Sequence, residues 1–174
     1  MRLWRISEHA DLTGEGGRIV AGRWHSRGRA VVYLAEHPAL ALLERLVHLE
    51  IDPDDLPRTY QLVEVEVPDG TPIEAVGVGR LDKANAAWRE DVTVTRDIGD
   101  EWLKAARTAL VRVPSVILPK STNVLLNPAH PDTSKAAIVE VTQPAYDPRL
   151  FGSSNALTVS SRLRPSPTPP QFPK

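Results

Sequence analysis

The chain has no cysteine, which excludes disulfides, thiolate zinc sites and a thiol nucleophile and is compatible with a reducing compartment. It has no excess of charge of either sign. Its 21 lysines and arginines stand against 22 aspartates and glutamates, a formal net charge of -1 that gives no general pull toward nucleic acid or an anionic membrane. No stretch approaches the roughly 20 apolar residues that cross a bilayer, and Met1-Arg2-Leu3-Trp4-Arg5-Ile6 lacks the apolar run of a signal peptide. These absences predict a cytoplasmic protein with no membrane and no direct nucleic-acid partner. The histidines, His9, His25, His37, His48 and His130, show no ligand spacing such as H-E-x-x-H, so no metal is expected. The glycines at 14–17 and 77–79 form neither a P-loop nor a G-x-G-x-x-G fingerprint, which disfavours those nucleotide-binding folds.

What remains is the composition of one globular domain: 174 residues, 41% hydrophobic and 25% charged, long enough to bury a sizeable core. From about Ser153 the chain turns to serine and proline, including Pro165, Pro167, Pro169, Pro170 and Pro173, and cannot form a core of its own. The expected division is a domain over 1–152 and a tail over 153–174.

Arg2 to Ile6 reads as a strand, and Gly14, Gly16, Gly17 and Gly22 as a loop able to approach a ligand closely. Ala30 to Ala35 has the length and apolarity of a buried strand. Pro38 suits a helix's first turn, and Ala39 to Leu49 carries a wide apolar arc at helical period, ended by Pro53 and Pro57. Gln61 to Val67 alternates, with Val63, Val65 and Val67 on one face of a half-buried strand. A helix is predicted over Ile98 to Arg107 and a strand over Ala109 to Leu118, interrupted at Pro114 in the manner of an edge or bulge. Short apolar runs at Asn123 to Leu126 and Ala136 to Val141 flank a turn at Asn127-Pro128-Ala129-His130-Pro131-Asp132. This order suggests an α/β or α+β domain on a mixed, mostly antiparallel sheet.

Several side chains could carry chemistry. Arg5, Arg18, Arg23, Arg27 and Arg29 surround the glycine loop, and arginine's planar fork suits phosphate, although most arginines are solvated surface charges. Arg23 stands apart, fixed between Gly22 and the large apolar Trp24. Tyr33 is either a core tyrosine with a satisfied hydroxyl or a ring that stacks on a planar heterocycle. Glu44 falls beside Leu40 at the border of the apolar arc, so its carboxylate is either desolvated at a cleft or solvated at that border. Ser115, beside the proline that disrupts pairing, either bonds locally or faces a pocket.

Seven segments in order, spanning nearly the whole domain, together resemble the RES family, the toxin half of Xre–RES toxin–antitoxin modules. They are Leu3-Trp4-Arg5-Ile6, Gly22-Arg23-Trp24, Val32-Tyr33-Leu34-Ala35-Glu36, Leu40-Ala41-Leu42-Leu43-Glu44, Gly99-Asp100-Glu101-Trp102-Leu103, Val113-Pro114-Ser115-Val116-Ile117, and Asn123-Val124-Leu125-Leu126-Asn127-Pro128 with His130-Pro131. The arginine, glutamate and serine of the family name fall at Arg23, Glu44 and Ser115. The chain departs from the family at Ala21, often glycine, and at His25, often asparagine.

The resemblance implies a single α+β domain with an ADP-ribosyltransferase-like fold and flanking helices. It implies NAD+ as the substrate, with no metal, and cleavage of the nicotinamide–ribose bond by hydrolysis or phosphorolysis, with growth arrest as the consequence. Glu44 would stabilise the oxocarbenium-like cation, and Arg23, supported by Arg5, would hold the pyrophosphate or adjacent ribose. Tyr33 would stack on nicotinamide and Ser115 would bond its ribose or carboxamide, with Arg18 and Asn127 completing the substrate-binding set. The implied partner is an antitoxin with a helix-turn-helix domain that covers the Arg23/Glu44 cleft, and a homo-dimer or hetero-oligomer is left open. Two other readings stay open: transfer of ADP-ribose to a protein acceptor, and a non-catalytic nucleotide-binding or interaction module.

Overall fold

Alternation along two strands builds one half of the sheet. In the computed structural model, which describes residues 1–49 and 58–151, β1 (Arg2–Ile6) buries Leu3, and β3 (Leu62–Glu66) buries Val63 and Val65, with Val67 buried just beyond it. The two strands pair antiparallel with Leu3 opposite Val65, so their apolar residues share one face. β2 (Val32–Ala35) is a continuous apolar run because it lies in the interior of the sheet, where both faces are covered.

The remaining strands are β4 (Ile73–Ala75), β5 (Leu110–Pro114), β6 (Thr122–Leu126) and β7 (Ala137–Thr142). The spatial order is β4-β5-β6-β2-β1-β3-β7. Every ladder is antiparallel except β4 with β5, which gives the mixed, mostly antiparallel sheet of a single α+β domain. Period-two alternation sends β6 residues to opposite layers. Val124 and Leu126 join Leu3, Val32 and Val65 on one face, while Leu125 joins Val111, Val113 and three buried indoles, Trp24, Trp88 and Trp102, on the other.

Four helices flank the sheet: α1 (Glu15–Ile19), α2 (Pro38–Leu46), α3 (Val78–Ala84) and α4 (Thr93–Ala105). Pro38 occupies the first turn of α2, and His37 Nδ1 caps it by accepting from Ala39 N–H at 3.1 Å. The glycine-rich stretch is not an open ligand loop over Gly14 to Gly17, although its Gly22 lines the main cavity. It contains α1, and Gly14, at φ 69°, lies where a Cβ would come within 2.6 Å of Val31 N, so the close approach is to the chain's own backbone.

α4 begins at Thr93 rather than Ile98, since Asp91 Oδ1 accepts from Thr93 N–H at 2.9 Å and starts the helix despite its poor helix formers. The strand expected to reach Leu118 stops at Pro114, where Ser115 N–H turns to Ser121 O at 2.9 Å. Pro114 lies on an interior strand, yet β4 pairs only as far as Arg112, so the proline sits past that ladder's end. β4 and α3 carried too little apolar periodicity to be read from the sequence. The tail expected over 153–174, with Pro53 and Pro57, lies outside the described residues. Among the described residues no helix is long and apolar enough to cross a membrane.

α4 reaches the loop that follows α1 at one glycine. A Cβ at Gly99 would collide with the carbonyl oxygen of Trp24, a backbone atom that cannot swing aside. Gly99→Ala should therefore cost about 1–3 kcal/mol and lower the melting temperature by on the order of 5 °C. Gly79→Ala in α3, with no atom within 4 Å of the added methyl, should leave it unchanged or slightly higher. Paired thermal melts check both.

Candidate active site

Three separate elements meet at Glu44. α2 packs on β1 and β2 through Leu40 and Ala41, and the border of that apolar face carries Glu44 toward the sheet. β6 presents Asn123, which pairs with Ala35 on one side and Val113 on the other, and the turn after β5 presents Ser115. Both donate to the same carboxylate oxygen. Ser115 Oγ reaches Glu44 Oε1 at 2.9 Å and Asn123 Nδ2 reaches it at 2.6 Å. Ser115 is buried, and its hydroxyl also accepts from Leu118 N–H at 3.1 Å, so its rotor has one orientation that satisfies both bonds. Glu44 Oε2 has no hydrogen bond among the described residues. The carboxylate is thus neither fully buried nor merely solvated: one oxygen is pinned while the group lines a cavity of about 470 Å³.

Tyr33 and His25 form the opposite wall's support. His25 Nε2 lies 3.2 Å from Gly17 O and 3.1 Å from Val20 O. Carbonyls only accept, so Nε2 carries the proton, and Nδ1 accepts from the Tyr33 hydroxyl at 2.8 Å. That hydroxyl in turn accepts from Trp24 N–H at 3.0 Å. Burial pushes the Tyr33 hydroxyl well up from its usual range, and it stays a neutral donor. The ring, anchored at its far end, offers its side to the cavity.

α4 holds the same loop from outside. Thr95 Oγ donates to Arg23 O at 2.7 Å, Arg96 Nε donates to Gly22 O at 2.8 Å, and Asp100 Oδ1 accepts from Ser26 N–H at 3.0 Å. Residues 95, 96, 99 and 100 lie on one helical face. Burial pushes the Asp100 carboxyl up, but the bonds from Ser26 and the ion pair with Arg29 at 3.0 Å outweigh it and leave its pKa lowered.

Arg23 and Arg5 both line the cavity, and both have their terminal nitrogens committed. Arg23 donates to Trp88 O at 3.2 Å and to Arg89 O at 2.9 Å; Arg5 donates to Asp11 O and to Ser7 Oγ, each at 2.8 Å. Burial lowers the Arg5 pKa, only partly offset by Asp11.

Two expected substrate-binding residues lie elsewhere. Arg18 is exposed on α1 and pairs with Glu15 at 3.0 Å, the i,i+3 spacing of a solvated helix pair. Asn127 is buried in the turn after β6, where its side chain donates to Leu103 O at 3.2 Å and accepts from Ala129 N–H at 3.1 Å, so it shapes the turn. Ser115 is with Glu44, although its hydroxyl is spent on that carboxylate. Sequence reasoning gave no role to Asn123, which opens both an apolar run and one of the family-like segments. A polar residue opening a buried strand was the available signal. Arg45 and His48 of the cavity wall were missed too. Among the described residues no group of His, Asp or Glu could hold a metal ion.

Fold and cavity together define a single-domain α+β protein whose main cavity is built around a held carboxylate. Residues 2–149 match the RES domain. Toxin Res of Pseudomonas putida is 46% identical over 151 residues, covering 87% of this chain and 100% of that protein. The Prs ADP-ribosylating toxin of a Sphingobium species is 41% identical, covering 86% of this chain and 96% of that one. The fold is shared with a chain in the crystal structure of the MbcT–MbcA toxin–antitoxin complex of M. tuberculosis, at a TM-score of 0.66, 17% identity and 86% coverage of each chain. The chain belongs to the RES-domain toxin family.

His25 generates a pH prediction. Burial lowers its pKa from 6.5, against the opposing pull of the Val20 and Gly17 carbonyls and of Asp100. Below 6.5 the unfolded chain therefore binds the proton first. The stability contributed by neutral His25 is fully present above 6.5 and is lost as pH falls through the lowered folded value. His25→Asn keeps a hydrogen-bonding atom near Tyr33 but cannot titrate. Denaturant titrations from pH 7.5 to 5 should show a smaller loss of stability for the variant than for the wild type.

Proposed function

We propose that the chain is the toxin of a toxin–antitoxin pair and that it consumes NAD+ by breaking the nicotinamide–ribose bond in the cavity beside Glu44. The observation that carries this reading is the Glu44 carboxylate, with Oε1 held by donors from two different parts of the sheet and Oε2 free of hydrogen bonds among the described residues. A cavity of about 470 Å³ lies within the range of small-molecule sites, roughly 300–1,000 Å³. Its wall carries groups suited to the nicotinamide half of NAD+: the Tyr33 ring against the heterocycle, a carboxylate for developing positive charge, and arginine side chains near where the phosphates would lie.

When the bond breaks, its electron pair leaves with the nicotinamide nitrogen and positive charge develops at ribose C1′. A carboxylate already oriented by two hydrogen bonds stabilises that charge without reorganising at the moment of reaction. An oxygen of water or inorganic phosphate then bonds to C1′ and sheds its proton, giving ADP-ribose or its 1″-phosphate. In this reading Ser115 and Asn123 are positioning residues for Glu44. An antitoxin with a helix-turn-helix domain that covers the Arg23/Glu44 cleft belongs to the same proposal, as does action in the cytoplasm where NAD+ is at hand.

A second reading, transfer of ADP-ribose to a protein side chain, is favoured by the Sphingobium relative, whose name describes an ADP-ribosylating toxin. The two readings differ only in which nucleophile takes C1′. Nicotinamide release from NAD+ by purified protein tests both, run with water alone, with phosphate and with cell extract. Mass spectrometry then assigns the product. Glu44→Gln should lower the rate by about 10²–10³-fold. Ser115→Ala and Asn123→Ala should each lower it by about tenfold or more, with circular dichroism unchanged. No release under any condition would overturn the proposal in favour of a binding module.

A further inference from the structure

The main cavity does not end at Glu44. Ile6 and Arg45 line it and also line a second cavity of about 260 Å³ beyond the end of β1, so the two adjoin at these residues. Arg45 is the cavity arginine whose fork is most open. Arg5 and Arg23 have both terminal nitrogens on protein oxygens within 3.2 Å, whereas among the described residues Arg45 pairs with Glu8 at 3.9 Å, a carboxylate that is 85% exposed. So loose a counter-ion is readily displaced by a more highly charged anion.

The second cavity is of a different character from the first. Tyr60 and Tyr146 form an aromatic wall, their rings 4.7 Å apart. Gln61 donates to Ser7 O at 3.0 Å, which leaves its carbonyl available, and the amide of Gln143 and hydroxyl of Thr59 have no side-chain hydrogen bond among the described residues. Carboxamides match the donor and acceptor on an adenine edge, and aromatic rings match its face.

We propose that this side cavity is the adenosine subsite for the dinucleotide and that Arg45 binds the diphosphate where the two cavities meet. The proposal rests on the NAD+ reading above and gives it a direction. Glu44 and Arg45 are consecutive on α2, with Cα atoms about 3.8 Å apart, so one helix turn presents the carboxylate to the nicotinamide ribose and the guanidinium to the phosphates that follow its 5′ carbon. The fork geometry suits a diphosphate as it suits other oxyanions.

The test is ADP binding by calorimetry, because ADP carries the adenosine and diphosphate without the reacting bond, alongside KM and kcat for nicotinamide release. Arg45→Gln should weaken ADP binding by about ten- to a hundredfold and raise KM for NAD+ more than it lowers kcat. Arg45→Lys should recover part of the loss. Thr59→Trp, which fills an exposed edge of the side cavity, should weaken ADP as well, and Arg107→Gln, whose side chain pairs with Glu74 and lines neither cavity, should bind it as the wild type does. Wild-type affinity for ADP in both Arg45→Gln and Thr59→Trp, or no ADP binding by the wild type, overturns the subsite. ADP binding that depends on Arg45, with no nicotinamide release, supports the subsite while overturning the cleavage reading.

Discussion

The contact of α4 with the Trp24 carbonyl governs how the rest of the site is built. Because Gly99 has no side chain, the helix lies directly on the loop backbone, and Thr95, Arg96 and Asp100 then reach Arg23 O, Gly22 O and Ser26 N–H. Loop carbonyls that would otherwise need water gain protein donors. With the loop fixed, the Trp24 amide and the His25 ring both meet the Tyr33 hydroxyl, which ties the loop to the interior strand β2. A loop held from a helix on one side and a strand on the other keeps Arg23 and Tyr33 in the wall of the cavity that Glu44, arriving independently on α2, also lines.

The polar groups around Tyr33 and Glu44 are matched donor to acceptor rather than charge to charge. Neutral His25 bridges Tyr33 to two carbonyls, and Ser115 and Asn123 are neutral donors to Glu44. Among the described residues no buried side-chain nitrogen or oxygen lacks a partner. Neutral partners orient the carboxylate without neutralising it, which is what the role proposed for Glu44 beside a developing cation requires. A salt bridge at the same place would have spent its charge in the resting protein.

Strands β1 and β3, helix α2 and the alternating valines at 63, 65 and 67 were legible in the sequence because each obeys its own local period. Residues within one element announce themselves by spacing of two or of three to four. α1 was not legible, since two glycines in five residues argue against a helix, and its place is set by packing on Val31. Asn127 and Arg18 show the converse. The resemblance implied a substrate-binding role for both, but one is a buried turn residue and the other a surface ion pair, and only the tertiary structure separates such residues from those that line the cavity.

By itself the sequence determined the composition of a single domain, the alternating and helical runs that make its sheet and main helix, and the family to which Arg23, Tyr33, Glu44 and Ser115 point. Those properties are local or are carried by ordered motifs. Tertiary structure alone decided that Ser115 and Asn123 hold one oxygen of Glu44 and that Arg45 stands at the junction of two cavities. The physical reason is separation along the chain. Glu44 lies 71 residues from Ser115 and 79 from Asn123, and no local periodicity records which strands β6 will lie between.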